Sequence, residues 1–145
     1  MPFADWSPSR RQARLGSIGL IVAFPIVAFH SALWGQKSLL YSDSIEFFLP
    51  IYRVVAQGWR HGHIPTWNRY AFSGYPLLGS SQGGVFYFPH VLYGLIDPRR
   101  AFVWLAVAHM AMAGLGTRAF AKRIWHSEFA GLVSGLAYTL NAFAI

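Results

Sequence analysis

Residues 15–35, LGSIGLIVAFPIVAFHSALWG, contain no Lys, Arg, Asp or Glu. At ~1.5 Å per residue this run extends about 30 Å as a helix, the thickness of a bilayer's hydrocarbon core. It therefore predicts a first transmembrane helix. Pro25 and the small residues Gly16, Ser17 and Gly19 are tolerated in such a helix, where they kink it or let neighbours approach. His30 is its one ionisable group, read as a neutral residue packed near the interface. The rest of the chain agrees, being 54% hydrophobic and 17% aromatic with only 12% charged residues, an unusual balance for a 145-residue soluble domain.

Arg10, Arg11 and Arg14 precede the run, and Ser9 with Arg10 and Arg11 has a faint twin-arginine look. A cleaved signal peptide is the weaker reading, because its apolar core is usually ~7 to 15 residues and no small-x-small cleavage site ends this one. A second apolar segment covers residues 101–117, followed by Arg118, Lys122 and Arg123. A third starts near Phe129 and runs to Ile145 with no polar flank, which predicts that the chain is part of something longer. The tight basic clusters at 10–14 and 118–123 place the N-terminus (1–14) and the 118–128 loop in the cytoplasm, and residues 36–100 outside it. The expected fold is thus all-α: a polytopic membrane protein with a long extracytoplasmic loop.

That loop carries Lys37, Arg53, Arg60, Arg69, Arg99 and Arg100. Residues 42–59, SDSIEFFLPIYRVVAQGW, place Ile45, Phe48, Leu49, Tyr52, Val55, Ala56 and Trp59 on one helical side, and Glu46, Arg53, Gln57 and Arg60 on the other. This predicts an interfacial amphipathic helix with Trp59 at headgroup level, broken by Pro50. Asp43 and Glu46 have capping-box spacing, so their plain structural role is to satisfy the first amides of that helix. The following stretch mixes Gly and Pro with aromatics and predicts an ordered loop. Gly83 and Gly84 lack the rest of a phosphate-loop motif. Residues 85–96, VFYFPHVLYGLI, are too short to span and read as interfacial or re-entrant.

Chemistry-bearing residues are few. The chain has five acids and no cysteine, which excludes disulfides, thiolate metal sites and thiol nucleophiles. His61 and His63 lack the further ligands of a zinc site. Arg53, Arg60 and Arg69 suit phosphate oxygens or anionic lipid headgroups. A net charge of +7 alone suggests nucleic acid, but the basic residues form no continuous face, so no nucleic-acid partner is expected.

The succession of a membrane helix, Asp43, the aromatic-Pro step at 48–50, GHIPTWN at 62–68 and FSGYPLLGSSQGGVFYFP at 72–89 resembles the N-terminal portion of the YfhO-type bacterial membrane proteins. These belong with the polytopic glycosyltransferases of the C fold. The closing GLAYTLNAFAI is similar to that family's third helix. The resemblance covers about residues 15–145, although family members are longer and commonly carry a second acidic motif in a later loop.

The resemblance implies sugar transfer from a polyprenyl-phosphate donor to a glycan or envelope-polymer acceptor, on the outer face of the bacterial plasma membrane. It implies Asp43 as catalytic base or as ligand of a divalent metal, Mg or Mn. Arg53, Arg60, Trp67 and Asn68 are then the candidate donor or sugar contacts, and Glu46 keeps the cap. This chain alone would supply at most half an active site. The rival reading is a non-enzymatic membrane scaffold or transporter fragment whose loop binds lipid or a partner.

Overall fold

The computed structural model describes residues 9–35 and 42–141. Residues 1–8 of the basic N-terminus, Lys37, and residues 142–145 of the third apolar segment lie outside the described residues. Among the described residues the chain is mostly helical, with six α-helices and one short hairpin. Contacts divide it into two units, residues 1–30 with 106–145, and residues 31–105.

In the first unit, helix α1 (Arg10–Ala28) is opened by Ser9. The Ser9 hydroxyl accepts from the Gln12 amide while Gln12 Oε1 accepts from the Ser9 amide, a reciprocal capping box. Pro25 has no N–H, so the Ile21 carbonyl loses its helical donor, and α1 ends three residues later. A four-residue helix, α2 (His30–Leu33), follows the break at Phe29. His30, expected against other helices, is exposed and donates Nδ1–H to the Val27 carbonyl at 2.9 Å.

The segment Arg11–Ala28 is long and apolar enough to cross a membrane, and only 17% of it is buried. A helix at the centre of a soluble domain would have most of that surface covered. No second described helix passes the same test. The 101–117 segment lies inside the longer helix α5 (Pro98–Trp125), whose apolar middle is diluted by His109 and bracketed by Arg99, Arg100 and Arg118.

Helix α5 begins where Asp97 Oδ1 accepts from the amides of Arg99 and Arg100. It runs to Trp125, so most of the loop expected at 118–128 is helix. Helix α6 (Glu128–Thr139) starts after a two-residue turn, with Ser127 capping the Ala130 amide at 3.3 Å. Against α1 and α5, α6 packs through Gly131 and Gly135, the small-xxx-small spacing of close helix pairs. A Cβ on Gly135 would lie 2.6 Å from Ile21 Cδ1 and 2.9 Å from the Gly114 carbonyl oxygen. Thr139, fully buried at this seam, returns its hydroxyl proton to the Gly135 carbonyl.

The second unit is built on a π-helical turn (Ser44–Phe48) leading into helix α3 (Leu49–Arg60). Pro50 cannot donate, and the register is re-set just before it, with the Leu49 amide reaching the Ser44 carbonyl five residues back. The break expected at Pro50 thus takes the form of a wide turn, with Pro50 seated in the first turn of α3.

The apolar face of α3 is not free for a membrane interface. One side packs Leu49 and Ala56 on Tyr93 and Ala101, and the other packs Ile51 and Val55 on Leu77 and Val85. Trp59, expected at headgroup depth, instead donates its indole N–H to the Val85 carbonyl at 2.8 Å. A half-buried indole needs an acceptor, and the aromatic-rich loop supplies one.

Residues 61–97 pack on this helix within the same unit. Strands β1 (Trp67–Asn68) and β2 (Tyr75–Pro76) pair antiparallel, Trp67 opposite Pro76 and Asn68 opposite Tyr75. A 3-10 turn (Phe88–Val91) and the short helix α4 (Leu92–Leu95) close the loop against α3.

Candidate functional site

The polar face of α3 looks into a cleft of about 510 Å³. Glu46, Pro50, Arg53 and Gln57 line it from the helix, spaced by four, three and four residues, so one helical face presents a carboxylate, a guanidinium and an amide. Asn68, Tyr70, Phe72 and Tyr75 of the hairpin form the opposite wall.

The hairpin is held from within. Asn68 is buried, its Oδ1 accepting the Tyr70 amide at 2.9 Å and its Nδ2 donating to the Tyr75 hydroxyl at 3.3 Å. At the tip, Phe72 (φ 53°) and Ser73 (φ 58°) both sit in the left-handed region. Such residues persist only where the surroundings hold them, and they concentrate at functional sites. Here the strained pair leaves Phe72 81% exposed at the mouth of the cleft. An exposed aromatic ring beside a guanidinium and a carboxylate can stack on one face of a ligand while the charged groups fix its polar end.

The candidate residues separate. Arg53 and Asn68 reach the cleft, Asn68 chiefly as the brace of its wall. Asp43 lies outside the lining residues. It is exposed, one turn ahead of Glu46, and its Oδ1 accepts from the Ser42 hydroxyl at 3.5 Å.

The capping box expected for Asp43 and Glu46 does not form. Asp43 already has helical dihedrals (φ −54°, ψ −28°), whereas a capping side chain needs an extended backbone to reach forward. The amides of Ile45 and Glu46 go to the Ser42 carbonyl instead. Glu46 is thereby released from the cap and faces the cleft.

Arg60 is engaged elsewhere. Its Nη1 donates to the Gly94 carbonyl at 2.6 Å, and its stem covers Gly94, tying α3 to α4. Trp67 lines a neighbouring recess of about 350 Å³ with His61, His63 and Arg69. The His61 and His63 rings are 6.4 Å apart, and His61 Nδ1 donates to the Gln57 carbonyl. Among the described residues no three His, Asp or Glu side chains gather as a metal set.

Glu46, Gln57, Tyr70 and Tyr75 were missed as site residues. The polar stripe of α3 contained the signal for the first two, but the capping motif claimed Glu46. The tyrosines gave none, because a hairpin with two-residue strands is too short to show alternation.

Behind α3, His90 is buried in an aromatic cage. Its ring stacks on Tyr52 at 4.0 Å, with Tyr87 at 4.9 Å and Tyr93 at 5.7 Å. Gly84, at φ 53°, lies flat against the imidazole, where a Cβ would meet the ring carbon. His90 Nδ1 has no hydrogen-bond partner among the described residues. Burial lowers the His90 pKa, with a backbone contact at Gly84 working the other way, and burial raises those of Tyr52 and Tyr93.

Against known proteins, the chain matches no protein-family model, no curated protein and no solved structure.

Proposed function

We propose that the chain is the N-terminal portion of a multi-pass bacterial plasma-membrane glycosyltransferase that takes sugar from a polyprenyl-phosphate donor on the extracytoplasmic face for envelope glycan modification. The observation that carries the reading is the cleft on α3, where Glu46, Arg53 and Gln57 face the exposed Phe72 ring and the tyrosines. Guanidinium forks suit phosphate, aromatic faces suit sugar rings, and the amide and hydroxyl groups suit sugar hydroxyls. The apolar, little-buried α1 and the exposed Phe86, Phe88 and Leu95 support a membrane-embedded and interface-seated chain. The resemblance to YfhO-type proteins supports the chemistry and adds further spans to the reading.

The acceptor hydroxyl oxygen bonds to the anomeric carbon as the bond from that carbon to the donor phosphate oxygen breaks. The hydroxyl proton passes to a carboxylate, Asp43 by the resemblance, with Glu46 the carboxylate that lines the cleft together with Arg53. Charge collects on the departing polyprenyl phosphate, where Arg53 offers its fork.

The test is sugar transfer from a polyprenyl-phosphate donor by the complete reading frame carrying Asp43→Asn, Glu46→Gln or Arg53→Gln. General-base loss lowers turnover about 100-fold or more. Unchanged turnover with Asp43→Asn removes that residue from catalysis, and unchanged turnover with Glu46→Gln and Arg53→Gln removes the cleft from the reaction; no transfer by the unsubstituted frame would favour a scaffold or transporter.

A further inference from the structure

In the first unit, at the N-terminal end of α1, Arg11, Arg14, Lys122, His126 and Glu128 surround a recess of about 590 Å³. Arg11 and Arg14 are three apart on one face of α1, Lys122 stands in the last turn of α5 and His126 just beyond that helix's end, so four basic side chains line the same space. Glu128 is the one carboxylate there, and it is already engaged. Arg118 Nη2 holds its Oε2 at 2.6 Å and Lys122 Nζ holds Oε1. Among the described residues no carboxylate pairs with Arg11 or Arg14, both exposed. The recess therefore keeps an uncompensated positive charge around its walls.

Two further observations point to an occupant. His126 stands at the turn between α5 and α6 in the left-handed region (φ 50°), a conformation a non-glycine residue adopts at a cost and which sets its ring at the recess. Within two residues in sequence of the recess's lining residues, Leu15, Ile124, Trp125 and Phe129 are all more than half exposed. Basic groups under an apolar collar at one end of a membrane-length helix match a headgroup phosphate with its acyl chains alongside.

We propose that this recess binds a phosphate group, supplied by an anionic phospholipid headgroup, with Arg11 and Arg14 as its guanidinium forks and Lys122 and His126 as further donors. Guanidiniums bind phosphate oxygens bidentately, and an ammonium adds charge without that geometry. The site is separate from the α3 cleft and does not depend on the sugar-transfer reading.

The experiment uses the full chain purified in detergent and titrated with phosphatidylglycerol, phosphatidylcholine or inorganic phosphate. Bound lipid is followed by native mass spectrometry and stability by thermal unfolding. The wild type should retain and be protected by phosphatidylglycerol but not phosphatidylcholine. Arg11→Gln with Arg14→Gln should weaken retention at least tenfold, while Arg99→Gln with Arg100→Gln, the same loss of charge at exposed positions that line no recess named above, leaves it unchanged. Both guanidiniums are exposed and neither ion-pairs with Glu128, on which Arg14 acts only at longer range, so the double variant should fold; the Lys double variant keeps the charge, loses the fork and should fall between. Equal protection by inorganic phosphate would uphold the phosphate site and assign it a soluble source. Retention of phosphatidylglycerol by the Gln double variant at wild-type strength, or no difference between the two lipids, would overturn the proposal.

Discussion

The two units use their polar groups in opposite ways. In the first, the internal polar groups are turned on one another. Arg118, only 6% exposed, donates Nε–H to Ser17 at 2.8 Å and an Nη2 hydrogen to Glu128, so one guanidinium ties α1, α5 and α6, while leucines, phenylalanines and Trp125 face outward. In the second unit the apolar face of α3 is covered by its own loop, and its polar face is left open as the cleft. The first unit thus commits its internal polar groups to ties between helices, and the second leaves those of α3 open around a concave space, the build of a ligand site.

The sharpest way to break this contrast is Glu128→Gln. It removes the counter-charge and leaves a buried guanidinium with neutral acceptors only, the Ser17 hydroxyl and the new amide oxygen, and because Glu128 is 26% exposed the expected loss is about 2–3 kcal/mol, below that of a fully buried pair. Thermal unfolding in detergent measures it. Arg118, Lys122 and Arg14 hold the Glu128 carboxyl below its ordinary value, the Lys122 hydrogen bond contributing most. Its contribution is present above about pH 4.5 and is lost as pH falls through the lowered value.

Next comes Gly135→Leu, which forces side-chain atoms into Ile21 and the Gly114 carbonyl and should cost about 1–3 kcal/mol in the same assay. A neutral result would show that α6 is not seated on this seam. In the second unit, Arg60→Met removes one hydrogen bond to Gly94 and should cost about 1 kcal/mol while leaving sugar transfer intact. Arg53→Gln should do the reverse, lowering transfer at unchanged unfolding temperature. If the two arginines behave alike, the division between clamp and cleft fails.

The smallest effect is a pH slope. Because folding lowers the His90 pKa below its ordinary 6.5, the unfolded chain binds the proton more readily, so stability is complete above about pH 6.5 and declines as pH falls below it. His90→Phe should flatten that part of the pH profile of unfolding. A slope of undiminished steepness would assign it to other groups.

Periodicity made α1 and the amphipathic α3 legible, and the missing amide of Pro50 announced the break before α3. What stayed hidden depended on partners far along the chain. Arg118 looked like a flank at the end of a span because sequence shows a charge but not its counter-charge on another helix. Trp59 looked like an interface anchor because its acceptor, the Val85 carbonyl, comes 26 residues later. Of the candidate site, Arg53 and Asn68 were found, whereas Glu46 was lost to a capping motif whose spacing says nothing of the backbone dihedrals that decide whether a cap forms.

The Arg118 clamp also implies an order of assembly. Arg118 leaves the ribosome ten residues before Glu128, and Ser17 has been waiting a hundred residues longer. Until Glu128 arrives, that guanidinium has one neutral hydroxyl among these partners and is better left in water than drawn between helices. Docking of α6 is therefore the event that lets α1 and α5 close around the charge, and a chain released before residue 128 would leave that junction open.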